Sequence, residues 1–318
     1  MNSLKVSEIL NATGGKLIYG NLESRIEGIS TDTRSIKHGE IFFALRGENY
    51  DGHNFIKQAI INGALGGVVS DSKKIENLSL NGSDKVTLVE VSDTLRALGD
   101  LAKYYRQNLQ AKFIAVTGSN GKTTTKDMVY HILKKFKNVS RSRNSFNNFI
   151  GVPLTIFGAD LSDDFCVVEM GTNAPGEIKR LSEIISPNFT ILTNISHTHL
   201  EGLGSIKGVA SAKAEFIENM DEDGTLITNA DDTWCSQIAG RFNGKVVNFG
   251  FGENTQIKAS KVKRNKSGFT FTVNKSFTIN LPVLAYPHIQ ISFCQELAIE
   301  KIHLTQLTLM RDWNYIRH

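Results

Sequence analysis

The stretch Phe113–Leu133, FIAVTGSNGKTTTKDMVYHIL, decides how the chain is read. An apolar, β-branched run leads into Gly118, Asn120, Gly121 and Lys122, then three threonines, then a helical pattern. Strand, glycine turn and helix in that order are the setting of a phosphate-binding loop. Glycines let the backbone approach phosphate oxygens, and the helix N-terminus adds partial positive charge. Lys122 is placed to reach terminal phosphates and Thr123 to ligate Mg²⁺. The spacing nevertheless departs from G-x-x-x-x-G-K-[ST], because the position five before Gly121 is Val116 rather than glycine. Agreement of strand, turn and helix favours a phosphate loop over a tight turn carrying an incidental Lys-Thr.

Outward from this stretch the chain alternates strand and helix. FIAVTG, FCVVEMG, FTILTNIS, GTLITNA and KVVNFG read as strands with helices between most of them, which predicts a parallel sheet covered on both faces. After Asn254 the pattern becomes IKASKVKRNKSGFTFTVNKSFTINLPV, alternating strands around the turn NKSG, which predicts an antiparallel meander. Upstream, IEGIS and EIFFALRG are short strand-like pieces, and FIKQAIINGA reads as a helix ending at Gly63. The polar stretch DSKKIENLSLNGSDK reads as a surface loop, VTLVEV as a strand, and Ser92 as the cap of the helix DTLRALGDLAKYYRQNL. The fold class is α/β. A small mixed α/β domain is expected over residues 1–85, and a central P-loop domain over 86–284 with a mostly parallel sheet and a short antiparallel meander.

Three further stretches fall at the ends of expected strands, the edge at which open α/β sheets bind ligands. In FCVVEMGTN, Glu169 is either a carboxylate that holds Mg²⁺ or an exposed strand-end glutamate. In ILTNISHTHLEGLGS, His197 and His199 lie two apart and in extended chain share a face, which suits a metal role. TLITNADD places Asn229 just after a strand, where its amide either pairs with an adenine edge or closes an Asx-turn. In the helix VASAKAEFIENM, Lys213 sits between two alanines; most helix lysines are solvated, but one held near metal and partly buried loses its proton and becomes reactive.

Composition bounds the partners. The 318 residues are 40% hydrophobic and 21% charged, ordinary for a globular chain, and leave room for two domains. A net charge of +4 without a basic stripe gives no reason to expect a nucleic-acid partner. Cys166, Cys235 and Cys294 form no C-x-x-C pair, as expected in a reducing cytoplasm. The first residues, MNSLKVSEILNATGGKL, lack a signal-peptide core, and no run of about 18 apolar residues suggests a membrane span. A cytoplasmic monomer is expected.

Together these segments resemble the Mur ligase family, ATP-dependent amide-forming enzymes of peptidoglycan synthesis. The family's loop reads T-G-[ST]-N-G-K-[ST], and Thr117-Gly118-Ser119-Asn120-Gly121-Lys122-Thr123 matches it, so the loop is a shorter version of the motif rather than a damaged one. HLEGLGS followed by VASAKAEF, NSFNNFIGVPLT, and STDTRSIKHGEIFFALRGENYDGHNFI are similar to the branch that joins D-alanyl-D-alanine to UDP-N-acetylmuramoyl-tripeptide. The resemblance spans residues 1–284. It implies that Lys122 binds the β- and γ-phosphates of ATP within the loop Thr117–Thr124, that Thr123 and Glu169 serve one Mg²⁺, and that His199 helps to hold a second. It implies a carbamylated Lys213 beside that second ion, and adenine at Asn229. It further implies that Ser30, Thr31, Asp32 and Arg34, with Asp51, Gly52 and His53, contribute to binding the UDP-sugar, and that Asn147 or Asn148 lies beside the metal and phosphate. The implied chemistry is phosphorylation of the peptide carboxylate to an acyl phosphate, followed by attack of the D-alanyl-D-alanine amine.

The resemblance stops after INLPVL. The family continues with a G-x-H-N-type stretch and a third domain of about 100–150 residues, whereas this chain reads AYPHIQISFCQELAIEKIHLTQLTLMRDWNYIRH. Residues 285–318 are therefore expected to be an atypical tail in place of that domain, with Phe293, Leu304, Leu307, Leu309 and Trp313 forming an apolar surface. The corresponding expectation is slow ligation by this chain, and the alternative function is an inactive member that retains UDP-sugar or ATP binding. A small-molecule kinase would share the loop but leave the first-domain signature unexplained.

Overall fold

The computed structural model describes residues 1–75, 86–253, 255–266, 268–275 and 277–281. Glu76–Lys85 of the expected surface loop, Ser267 of the NKSG turn, and the expected tail with its apolar residues lie outside the described residues. The chain divides into two compact units. The first comprises Met1–Ala111, Phe146–Asp163 and Glu183–Ile185; the second comprises Lys112–Ser145, Asp164–Ser182 and Ser186–His318.

In the first unit the strands order as Lys16–Tyr19, Thr87–Glu90, Gly66–Val69, Glu40–Phe43 and Gly28–Ser30. Only the Lys16–Tyr19 edge is antiparallel to its neighbour. Phe42, Ala44, Ile56, Ala59, Val69 and Leu88 pack one side of the sheet. Gly66 allows the tightest approach: it adopts φ +150°, and a Cβ there would lie 1.7 Å from the Thr87 carbonyl oxygen, so no side chain fits.

The domain boundary expected after residue 85 falls inside this unit. VTLVEV finds its ladder partners in Gly66–Val69 and Lys16–Tyr19, so Thr87–Glu90 is an interior strand of the first sheet. The helix Thr94–Gln107 follows it, and the contacts change units only at Lys112. The helix Gly151–Phe157 also belongs here, with the Phe157 ring 5.7 Å from that of Tyr105. Ser92 does not cap Thr94–Gln107. Asp93 does, its Oδ1 accepting from Leu95 N at 2.8 Å and Arg96 N at 3.0 Å.

Among the described residues of the second unit, nine strands order as Phe277–Leu281, Gly268–Val273, Ile257–Asn265, Lys245–Gly250, Thr225–Asn229, Phe189–Leu192, Lys112–Thr117, Phe165–Glu169 and Val139–Arg141. Every neighbouring pair from Val139–Arg141 to Ile257–Asn265 is parallel, and the last two pairings are the antiparallel meander. All five expected parallel strands form. Val139–Arg141 is an additional edge strand, too short and polar to stand out in sequence. Ile114, Val116, Ile191, Ile227, Val247 and Phe249 build the core with Val129 and Leu133 of the helix Lys122–Leu133. Each such fully buried side chain stabilises by about 1.5–3 kcal/mol. Glu169 pairs with Val116 and Leu192 with Thr117, so three strands end at one edge. Among the described residues, no helix is long and apolar enough to cross a membrane.

The cap assignment makes a direct prediction. Asp93→Ala is expected to destabilise the chain by about 1 kcal/mol, the usual value of an N-cap, whereas Ser92→Ala leaves the urea midpoint in place. Equal effects of the two substitutions would contradict the assignment.

Candidate functional site

The strand Lys112–Thr117 is buried along its last five residues and delivers Thr117 to the edge, where its hydroxyl donates to Met170 O at 3.2 Å. Gly118 turns the chain at φ +140°; a Cβ there would lie 2.0 Å from Thr193 Oγ1. Gly121 makes the second left-handed turn at φ +79° and opens the helix Lys122–Leu133, with Thr125 N donating to Gly121 O. The amides of Lys122, Thr123 and Thr124 thus form the helix's first turn, where no intrahelical acceptor is available and negative charge is favoured. Lys122 Nζ lies over the loop, donating to Gly118 O and Ser119 O, each at 3.0 Å. Burial holds its pKa below the ordinary lysine value, with Glu169 acting in the opposite sense.

Thr123 Oγ1 donates to Glu169 Oε2 at 2.8 Å. Glu169 is only 1% exposed, so it is not a solvated strand-end glutamate. Ser142 Oγ accepts from Glu169 N at 3.2 Å. Two oxygens of the kind that magnesium prefers are thereby held side by side beneath the loop. Among the described residues there is no group of three or more His, Cys, Asp or Glu side chains arranged to hold a metal. Magnesium with one or two protein oxygens, completing its shell from phosphate and water, is compatible with that arrangement.

The structure adds a residue that sequence reading missed. Lys126 is fully buried; it donates to Asn144 O at 2.8 Å and pairs with Asp127 Oδ1 at 3.2 Å, while Glu169 acts on it electrostatically. Asp127 is also paired with Arg141. The available signal was the spacing of Lys122 and Lys126, which places two cations on one helix face.

Beyond the strand Phe189–Leu192 the two histidines part company. Thr198 N donates to Ser196 O at 2.8 Å in a tight turn, and His199 adopts φ +54° as the N-cap of Leu200–Leu203. The shared face expected for extended chain is therefore not formed. Burial, Lys213 and Lys122 lower the His199 pKa, favouring the neutral imidazole that can ligate a metal.

Lys213 lies in the helix Ile206–Ala214, capped by Ser205 Oγ, which accepts from Gly208 N at 3.1 Å. Its side chain is fully buried, and among the described residues its Nζ has no hydrogen-bond partner. Burial first, and the Lys122 charge second, bring its pKa down to about 7. The solvated-lysine alternative is thereby excluded. Asn229 forms the Asx-turn: its Oδ1 accepts from Asp231 N at 3.0 Å, and its Nδ2 donates to Thr193 O at 3.2 Å. Its carboxamide is buried and already engaged on both sides.

The remaining expected residues lie in the first unit. Ser30 closes a turn with Asp32, its Oγ accepting from Asp32 N at 3.2 Å, and Thr31 is half-buried between them. Arg34 grips Asp32 with Nε to Oδ1 at 2.9 Å and Nη2 to Oδ2 at 2.7 Å, which takes the Asp32 pKa down to about 2. The ring of His53 is enclosed. Nε2 accepts from Ser70 N at 2.9 Å, so the proton sits on Nδ1, 2.5 Å from Asp51 Oδ1. Asp51 also receives Lys74 Nζ at 2.5 Å. Gly52 N donates to Leu45 O at 2.8 Å where a Cβ would clash with the same oxygen. This motif braces the Arg46–Asp51 bridge from within. Asn147 is half-buried, and Asn148 Oδ1 accepts from Ile150 N and Gly151 N at the start of Gly151–Phe157. Both asparagines belong to the first unit and the phosphate loop to the second.

A parallel sheet with a phosphate loop, buried cations and a Thr-Glu pair at one edge defines a P-loop protein. The chain belongs to the Mur ligase family: the Mur ligase middle domain matches residues 116–290, and the Mur ligase family, catalytic domain, matches residues 25–106. It is 37% identical to the UDP-N-acetylmuramoyl-tripeptide–D-alanyl-D-alanine ligase of Bacillus subtilis, over 81% of this chain and 55% of the relative. The ligase of the same description from Buchnera aphidicola is 33% identical over 98% of this chain and 69% of its own length. The crystal structure of MurF from Acinetobacter baumannii superimposes with a TM-score of 0.86 at 28% identity, covering 96% of this chain and 66% of that one. The chain thus spans between about half and two thirds of these relatives.

The buried Lys213 nitrogen has a measurable consequence for stability. Its folded pKa, about 7, lies below its unfolded value, so the unfolded chain binds the extra proton between the two. This group's contribution to stability therefore rises with pH across that interval and is least favourable below pH 7. Lys213→Met is expected to stabilise the fold at pH 7 by about 1–4 kcal/mol and to flatten that rise. Loss of stability on this substitution at pH 7 would contradict the burial.

Proposed function

We propose that this chain carries the ATP-binding and UDP-sugar-binding parts of a ligase that joins D-alanyl-D-alanine to UDP-N-acetylmuramoyl-tripeptide. The observation that carries the reading is Lys213, a fully buried amine that has no hydrogen-bond partner among the described residues, with its pKa near 7 and electrostatically coupled to Lys122 and His199. A loop that only bound nucleotide has no use for it. A neutral amine adds CO₂ and releases a proton, and the resulting carbamate would satisfy the site with the anion it lacks. With His199 it would hold a second magnesium, while Thr123 and Glu169 hold the first.

The chemical difficulty is that a carboxylate is a poor electrophile towards an amine. Transfer of the γ-phosphoryl group of ATP to the peptide carboxylate gives an acyl phosphate, and attack by the dipeptide amine releases phosphate. Bound magnesium would offset part of the charge between two approaching anions. Lys122 and the amides of Lys122, Thr123 and Thr124 supply the rest from fixed positions, which is electrostatic stabilisation without a covalent role. In the first unit the Ser30–Arg34 turn offers an exposed guanidinium to the UDP-sugar, and Asp51, Gly52 and His53 brace the neighbouring loop. Asn147 and Asn148 are assigned to substrate binding. The domain division follows: UDP-sugar binding in the first unit and ATP binding in the second, in a cytoplasmic monomer.

Titration calorimetry tests the reading. ATP with magnesium and UDP-N-acetylmuramoyl-tripeptide each bind, and Lys122→Ala weakens ATP alone by about a hundredfold, the scale of losing a charged contact. Phosphate release that requires both the muramoyl peptide and D-alanyl-D-alanine is the expected signature of ligation. Unchanged ATP affinity in Lys122→Ala, or release indifferent to either acceptor, contradicts the assignment.

A further inference from the structure

The phosphate loop lacks the first glycine of the longer motif, and the residue that completes it lies 74 positions away. Asn194 follows the strand Phe189–Leu192 and matches both backbone groups of Asn120. Asn120 N donates to Asn194 Oδ1 at 3.0 Å, and Asn194 Nδ2 donates to Asn120 O at 3.0 Å. The backbone of Asn194 joins in, its carbonyl accepting from Ser119 N at 2.8 Å. Thr193 Oγ1 donates to Asn120 O at 2.7 Å, and Ser196 Oγ accepts from Asn120 Nδ2 at 2.9 Å. The gripping segment is itself anchored: Asp232 Oδ2 accepts from Ile195 N at 2.8 Å while its Oδ1 caps the helix Thr233–Ala239 through Cys235 N.

This pairing decides which donors a phosphate can meet. The amides of Ser119 and Asn120 are engaged by Asn194, so they do not face an anion. The first-turn amides of Lys122–Leu133 are the backbone donors offered to it, joined by the Lys122 ammonium and the Thr123 hydroxyl once these turn from Gly118 O, Ser119 O and Glu169. A carboxamide suits the task because it presents one acceptor and one donor in a plane, as a peptide group does. Aspartate keeps the acceptor and loses the donor; alanine loses both.

We propose that Asn194 is a positioning residue of the nucleotide site: it acts as a surrogate strand that fixes Ser119–Asn120 and thereby aims the helix N-terminus, Lys122 and Thr123 at the β- and γ-phosphates. The inference rests on the nucleotide reading above and assigns to a neighbouring strand end the rigidity that a longer loop supplies for itself.

The test combines binding with amide hydrogen exchange on the 318-residue chain. Asn194→Ala is expected to weaken ATP and ADP about tenfold, the scale of lost hydrogen bonds. Asn194→Asp weakens them further, because its second oxygen faces Asn120 O and the phosphates. Adenosine affinity stays unchanged, which a general packing defect would not allow. In the wild type the Ser119 and Asn120 amides exchange slowly, and in Asn194→Ala they exchange fast while those of Ile114 and Ile191 remain protected. Wild-type ATP affinity in both variants, or fast exchange of the two amides in the wild type, overturns the proposal. Should the wild type fail to bind ATP, the nucleotide reading falls, and the exchange pattern still decides the clamp. Should Asn194→Ala fail to fold, the wild-type exchange pattern decides it alone.

Discussion

Parallel pairing of Lys112–Thr117 with a strand on each side is the constraint on which the second unit depends. The registers Glu169 to Val116 and Leu192 to Thr117 bring three chain reversals to one edge. Thr117 leads into the loop, Glu169 stands beneath it, and Thr193–Ser196 grip it from the other side. Slippage by one residue would exchange the faces of each strand, moving Glu169 away from Thr123. Because both faces of these strands are buried, such a slip would also misplace the side chains of the core.

Around that edge the unit tolerates polar groups that a core optimised for stability alone would exclude. Lys126, Lys213 and Glu169 are all buried, and among the described residues Lys213 has no hydrogen-bond partner at its nitrogen. Uncompensated buried charge is costly, so one expects either neutralisation or a ligand of opposite sign. Lys126 and Glu169 answer with hydrogen bonds to Asn144 and Thr123. Lys213 answers with a lowered pKa. Departures of this kind, concentrated at one strand edge, are the pattern expected of a functional site.

Much of this was legible in the sequence because the parallel strands are continuous apolar runs punctuated by glycine and asparagine. The five expected strands, the meander and the loop appear where hydrophobic pattern and turn chemistry agree. What was hidden depended on tertiary partners. VTLVEV carries no mark of which sheet it joins, so the unit boundary lies later than its pattern suggests. Ser92 and Asp93 are both good caps, and only the backbone angles choose between them. The spacing of His197 and His199 assumed extended chain, which the left-handed turn at His199 breaks. The DGH motif carries no local sign that His53 turns inward to Ser70 and Asp51. Asn194 escaped notice because a hydrogen bond across 74 positions leaves no local pattern.

The most direct test of the account is a crystal structure of the chain with magnesium and a non-hydrolysable ATP analogue. The account predicts β- and γ-phosphates on the amides of Lys122, Thr123 and Thr124, with Lys122 Nζ turned onto them. It also predicts a magnesium ion about 2.0–2.1 Å from Thr123 Oγ1, with Glu169 bound to it directly or through one water. Phosphates lying away from the Gly118–Thr123 loop, or a metal that engages neither Thr123 nor Glu169, would contradict it.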